Sequence, residues 1–319
     1  MSKYRSSLPQ MNGKPFLSDS GLETTLVFHE GIELPFFAAF PLLDSAEGRD
    51  ILSRYVARHV AIALRDGRGF ILDTPTWRAN ADWGEKLGLS VADLDRLNRE
   101  AVVLAAEARI RHETPATPIV INGVFGPRGD GYRPDTQMSM DEARRYHMPQ
   151  MRSFAEAGAD MVTALTMTHV GEAAGITLAA QALGLPVAIS FTVETDGNLP
   201  TGQSLAEAII ETDAATGGAT AYYMVNCAHP DHFREGLESG AGWAQRIRGI
   251  RANASRLSHA ELDEATELDD GNPAELAADY AALLARHPHI NVLGGCCGTD
   301  HRHIDEISAA FAKAARATA

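Results

Sequence analysis

The run Ile290-Asn291-Val292-Leu293 passes into Gly294-Gly295-Cys296-Cys297-Gly298-Thr299, and a stretch with helical spacing follows over 300–315. A short apolar run, a small or polar loop and a helix make one repeating unit of an α/β chain. Working outward from this last unit, the same rhythm is found seven more times. The apolar runs fall at 15–18, 69–73, 118–122, 160–165, 186–193, 221–226 and 246–252. Helical patterns fall at 50–65, 91–112, 140–158, 169–183, 204–216 and 273–286. In the first, Leu52, Tyr55, Val56, His59, Val60 and Leu64 share one face. Ser139, with Glu142 three residues on, marks a capped helix start.

Eight such units, each near the ~35 residues that a βα step needs, predict a single (β/α)8 TIM barrel spanning 1–319. A doubly wound open sheet would carry a glycine-rich phosphate turn after its first strand. Asp19-Ser20-Gly21-Leu22-Glu23 does not match that pattern. Residues 1–14 form a polar extension without a signal-peptide core. Residues 32–43 contain two prolines and three phenylalanines, and are expected to fold as a loop over one barrel mouth or as a subunit contact.

The balance of charge narrows the function. Lys plus Arg number 28 and Asp plus Glu 42, for a net charge of −14. A nucleic-acid or anionic-membrane partner needs a basic face, so neither is expected. No apolar run approaches the length of a membrane span. Three cysteines, two of them adjacent, do not suit a secreted disulfide framework. A cytoplasmic enzyme acting on small molecules is the expectation.

In a barrel of this kind the active site lies at the C-terminal ends of the strands. The polar residues just past the runs are Asp19, Thr74, Asn122, Thr166, Asp196, Cys227 and the Cys296-Cys297 pair. Cys227 follows strand six and the pair follows strand eight. Three thiolates across a small barrel mouth form a metal site with one position open, the arrangement of a catalytic zinc. The glycines flanking the pair are expected to let the backbone turn so that both sulfurs point inward. Other readings stay open. Cys227 alone could be a buried inert thiol, and the glycine loop could hold a phosphate on its backbone N–H groups, as in barrel lyases and isomerases. His229, His232, His301 and His303 are alternative ligands. The acidic stretch Asp263, Glu264, Glu267, Asp269 and Asp270 reads as solvated loop. Trp77 could line a substrate pocket or simply pack.

Asn226-Cys227 together with Gly294-Gly295-Cys296-Cys297-Gly298-Thr299 resembles the zinc motifs of the homocysteine S-methyltransferase family, which includes betaine- and S-methylmethionine-dependent enzymes. Asp19-Ser20-Gly21-Leu22-Glu23-Thr24 is similar to that family's opening Asp-Gly-Gly-Met-Gly-Thr. Asn122-Gly123 with Gly126-Pro127, Gly158-Ala159-Asp160 and Glu172-Ala173 also fit. The resemblance runs from about Phe16 to Phe311. It implies Zn²⁺ on Cys227, Cys296 and Cys297, and a methyl group moved from an onium donor to a thiol, most plainly homocysteine giving methionine. It further implies that Asp19 pairs with the acceptor's ammonium, and that Thr74, Thr166 and Asn226 surround the substrate. Trp77 and the Phe36-Phe37 loop would face the cationic donor. The sequence departs from the family at Leu165-Thr166, where Glu-Thr is usual and the glutamate holds the amino group. It departs again at Ser20 and Glu23, which stand in place of glycines. A relative whose zinc merely staples two strands is the non-catalytic alternative.

Overall fold

The protein is described from a computed structural model covering residues 2–134, 137–237 and 242–317, with side chains through residue 311. Eight parallel strands close into a barrel in the order β1 to β8. They are β1 Phe16–Leu17, β2 Gly69–Asp73, β3 Ile119–Phe125, β4 Met161–Met167, β5 Val187–Phe191, β6 Tyr222–Asn226, β7 Ile247–Ala252 and β8 Val292–Gly295. Closure is made by Phe16 of β1 pairing with Val292 of β8. The helices that follow the strands are α1 Ala46–Asp66, α2 Val91–His112, α3 Met140–Ala157, α4 Val170–Ala182, α5 Leu205–Thr216, α6 Pro230–Leu237, α7 Pro273–Arg286 and α8 His301–Ala317.

The local chemistry explains these boundaries. Ser90 with Asp93, Ser139 with Glu142, and Ser204 with Glu207 form reciprocal capping boxes at the starts of α2, α3 and α5. Each satisfies two backbone or side-chain donors that the first helical turn would leave unpaired. The strands are buried on both faces, which is why they read as apolar runs rather than alternating ones. One apolar cluster fills the layer between strands and helices. A second, with Phe16, Ile71, Val120, Met161, Ala188, Tyr222, Met224 and Val292, fills the barrel interior.

The polar extension is part of the packed structure. Leu8 joins the interior cluster, and the Asn291 amide donates to the Gln10 carbonyl at 2.7 Å. Asp160 accepts the backbone N–H groups of Lys3 and Tyr4 at 2.6 and 2.8 Å, and pairs with Arg109 at 2.6 Å. Residues 2–14 therefore seal the N-terminal end of the barrel; Met1 lies outside the described residues.

Several boundaries differ from expectation. Strand β3 runs to Phe125, so Asn122 and Gly123 lie inside it. Strand β4 runs to Met167 with a bulge between Ala164 and Met167. Segment 32–43 makes two tight turns, Pro35–Phe37 and Phe40–Asp44. Helix α6 and the short helices Ala81–Lys86 and His259–Glu264 were not anticipated, because their apolar stripes are brief. Asp196 sits exposed in a turn, accepting from the Asn198 N–H, and does not reach the mouth.

Candidate active site

The C-terminal mouth of the barrel opens into a cavity of about 710 Å³. Asp19, Thr74, Trp77, Thr166, Asn226 and all three cysteines line it, so the structure brings the expected site residues together. Asn122 stays beneath, bridging Asp73 at 2.7 Å and Thr163 at 3.0 Å.

Cys227 follows β6 directly and has φ 54°, in the left-handed region. Thr166 in the β4 bulge has φ 63°. Each costs on the order of 1–3 kcal/mol for a non-glycine residue, so surrounding bonds must hold them. The Cys227 carbonyl accepts from the Asn253 amide at 3.1 Å and from His259 Nε2 at 2.5 Å, with Glu194 on the other His259 nitrogen at 3.0 Å. Asn226 Oδ1 accepts from the Thr166 N–H at 2.8 Å and the Ser190 hydroxyl at 2.6 Å. Its Nδ2 donates to Thr166 Oγ1 at 2.9 Å and faces Cys296 Sγ at 3.8 Å. Asn226 thus brackets the sulfur site and Thr166 together.

The vicinal pair hangs on a different device from the one expected. Gly294 and Gly295 are extended strand, not a turn. A Cβ on Gly294 would lie 2.0 Å from Ser18 Oγ, and one on Gly295 2.1 Å from Thr299 Oγ1. These glycines permit close approach; only Gly298, with φ 78°, supplies the turn. The N–H groups of Gly295, Cys296, Gly298 and Thr299 are taken by Asp19 O, Ala252 O, Thr24 Oγ1 and Cys296 O. A phosphate would find none of these four donors available.

The three sulfurs lie within 4.8 Å of one another. Cys227 and Cys296 are joined as a disulfide, with Cα atoms 5.4 Å apart, and Cys297 is a free thiol. Metal binding through this set requires that pair reduced. The spacing suits a metal: Cys227 Sγ and Cys297 Sγ are 3.8 Å apart, and a tetrahedral zinc with Zn–S near 2.3 Å sets its sulfurs about 3.8 Å apart. Tyr132 Oη reaches Cys297 Sγ at 3.6 Å, and the Tyr132 ring stacks on His259 with centroids 4.1 Å apart. Burial holds the Cys297 thiol above its ordinary range.

The alternative histidine ligands are occupied elsewhere. His229 Nδ1 accepts from the Asp231 N–H and lies beside Asp231 and Asp279, a cluster neutralised by Arg256. His232 bonds the Arg256 carbonyl, His303 the Asp270 carbonyl, and His301 is exposed. Of the acidic stretch, Asp263, Glu267 and Asp269 are exposed but form part of the cavity rim.

The opposite wall holds what sequence reasoning missed. Arg251, 6% exposed on β7, donates to Asp19 Oδ1 at 2.5 Å, to the Gly295 carbonyl at 3.1 Å and, very closely, to Asp73. Asp19, expected to meet a substrate ammonium, is therefore already ion-paired. Burial raises the Asp19 carboxyl while Arg251 opposes it; Asp73 is pushed up to about 6 by burial against the same guanidinium. The run itself, Arg246-Ile247-Arg248-Gly249-Ile250-Arg251-Ala252, carries three arginines and does not single out the one that points inward. Glu23 also lines the cavity, and burial pushes it up to about 7, opposed by its own backbone N–H. Ser20 joins a buried chain, with His59 Nε2 at 2.8 Å and Tyr55 Oη at 3.0 Å. Thr74 lines the cavity; its hydroxyl accepts from the Val124 N–H at 2.9 Å and meets Thr76 Oγ1 at 2.6 Å. Trp77 packs beneath Gly126, whose N–H bonds the Trp77 carbonyl at 2.8 Å. The Arg78 guanidinium covers Trp77 at 5.0 Å and Trp83 at 4.0 Å.

Comparison with known proteins agrees with this geometry. The family model described as Homocysteine S-methyltransferase matches residues 17–311. Homocysteine S-methyltransferase YbgG of Bacillus subtilis (strain 168) is 28% identical over 258 residues, covering 72% of this chain and 75% of the relative. Homocysteine S-methyltransferase 1 of Arabidopsis thaliana is 22% identical, covering 91% of each. Crystal structures of the homocysteine methyltransferase MmuM from Escherichia coli share the fold. The oxidized form aligns at TM-score 0.75 and 20% identity, and the metallated form at 0.73 and 19%; each covers 95% of this chain and 98% of that one. With a family model matching nearly its whole length, this chain belongs to the homocysteine S-methyltransferase family.

Proposed function

We propose that this protein is a zinc-dependent S-methyltransferase that moves a methyl group from a cationic onium donor to the thiol of homocysteine, giving methionine. The observation that carries the reading is the convergence of Cys227, Cys296 and Cys297 on the cavity, with Cys227 Sγ and Cys297 Sγ at the separation a tetrahedral zinc sets and Cys296 able to join them once its disulfide to Cys227 is reduced. In their reduced state these three residues would hold Zn²⁺. When bound there, zinc supplies a thiol acidic enough to react as a thiolate at neutral pH.

The chain's own residues do the rest. His259 and Asn253 fix the strained Cys227 backbone, and Asn226 Nδ2 and Tyr132 Oη face two of the sulfurs and temper their charge. The cavity wall carries seven carboxylates against two guanidinium groups, which favours entry of a cationic donor. In the transfer, the acceptor sulfur forms a bond to the methyl carbon as the donor's onium–carbon bond breaks. The donor leaves neutral with that electron pair, and the acceptor's proton has already gone to solvent.

The proposal also takes residues 1–319 as one catalytic domain and places it in a reducing, cytoplasmic compartment that keeps the cysteines as thiols. No helix among the described residues is long and apolar enough to cross a membrane. Metal analysis and a donor-by-acceptor screen test the reading. About one zinc per chain, lost in Cys296→Ser, and methylated homocysteine by mass are expected. Zinc-loaded protein that methylates no thiol from any sulfonium or betaine donor would leave only a structural metal.

A further inference from the structure

We infer that Glu23 is the residue that receives the acceptor's ammonium group, so that the acceptor is an α-amino thiol recognised by a carboxylate from the β1 loop rather than from β4. This rests on the methyltransferase reading above and goes beyond it by assigning the amino-acid half of the site.

An ammonium entering this cavity is best met by an anion that is inside the wall and not already ion-paired. Asp19 and Asp73 share Arg251, and Asp73 also accepts from the Asn122 amide. Leu165, 8% exposed, offers only hydrocarbon from β4. Asp130 is exposed and accepts the N–H groups of Tyr132 and Arg133, and the remaining rim carboxylates are exposed. Glu23 alone meets the requirement. It lines the cavity, and among the described residues no cation lies within ion-pair distance of it and no other side chain hydrogen-bonds it. Arg78, the other guanidinium of the cavity wall, is engaged by the Phe36 carbonyl and the Trp83 ring.

Its placement is built in. The Leu22–Thr24 turn that carries Glu23 is stitched onto the cysteine loop. Gly21 donates to the Thr299 carbonyl at 3.2 Å, Gly298 donates to Thr24 Oγ1 at 3.3 Å, and a Cβ on Gly21 would stand 2.6 Å from the Cys296 carbonyl oxygen. The turn that carries the carboxylate is thus fixed against the cysteine loop, and Cys297 and Glu23 lie within electrostatic reach of each other. A thiol and an amino group carried on one short chain can meet both at once.

The test uses the full chain loaded with Co²⁺, whose d–d absorption reports thiol binding without turnover. Homocysteine is compared with 4-mercaptobutyrate, which has the same thiol and carboxylate but no amino group. Wild type should bind homocysteine about 10–100-fold more tightly, the range for a hydrogen bond to a charged group. Glu23→Gln, which keeps the side-chain size, should bring that ratio close to one by weakening homocysteine alone. In steady state it should raise the acceptor KM and leave the donor KM and kcat near wild type. Equal binding of both thiols by wild type, or a loss in Glu23→Gln that falls on both thiols or on the donor, overturns the assignment while leaving the methyltransferase reading intact. If no thiol perturbs the cobalt spectrum of wild type, the methyltransferase reading itself fails, and the assignment with it.

Discussion

The two walls of the cavity are built on opposite principles. The sulfur wall, at the ends of β6 and β8, holds strained backbone in place with hydrogen bonds from Asn226, Asn253 and His259. The wall formed by β1, β2 and β7 is held by a buried guanidinium between two carboxylates. A bracket that spends its hydrogen bonds on backbone leaves the sulfurs' charge for a metal. An ion triad leaves both of its carboxylates already engaged by one guanidinium. The comparison teaches that proximity to the site is a poor guide to role: Asp19 and Glu23 are four residues apart, and only one has an unused carboxylate.

The largest effect should come from the sulfur wall. Cys227→Ser or Cys297→Ser should lower zinc affinity by more than the roughly 10–100-fold that loss of an outer partner costs, and turnover should fall with metal content. Metal retention in either variant, read by elemental analysis, would break the contrast between the walls. On the other wall, Arg251→Met strands two buried carboxylates and should cost about 3–5 kcal/mol in urea unfolding. Adding Asp19→Asn and Asp73→Asn should recover most of it; failure to recover would mean that Arg251 acts through its bond to the Gly295 carbonyl instead.

The third prediction concerns pH. His59 is buried and burial lowers it from 6.5 to about 4. Its folded-state value is depressed, so the stability that it contributes is present above pH 6.5 and is lost as pH falls towards 4, where the unfolded chain binds the extra proton. The loss should approach about 3 kcal/mol, at 1.36 kcal/mol per unit. His59→Gln should flatten that part of the stability–pH curve, and an unchanged slope would remove His59 as its source. The smallest effect is expected for Tyr132→Phe: zinc affinity down by about tenfold, the low end for an outer partner, with the melting temperature almost unmoved.

Much of this architecture is legible in the chain because fully buried parallel strands must be apolar and their ends must be polar. Cys227, Cys296 and Cys297 are readable for that reason, since position at a strand end is set by the apolar run before it. Arg251 is not readable in the same way. It sits inside a run, and only closure of the barrel shows that β7 places it between Asp19 and Asp73. The roles of Gly294 and Gly295 escape for a related reason: the need for glycine comes from Ser18, which arrives from the far end of the chain, and from Thr299, which the turn at Gly298 folds back. Glu23 is visible as an acid where a glycine is usual, but its lack of a partner is a property of three-dimensional neighbours.

The sealed floor has a kinetic consequence. Leu8, Gln10 and the Asp160 anchor close the barrel beneath a packed interior, so traffic uses the mouth. The sulfurs, Trp77 and Phe36 all line the one cavity behind that mouth. On the proposed reading both substrates and both products share one opening, and product-inhibition patterns should report whether they pass it in a fixed order.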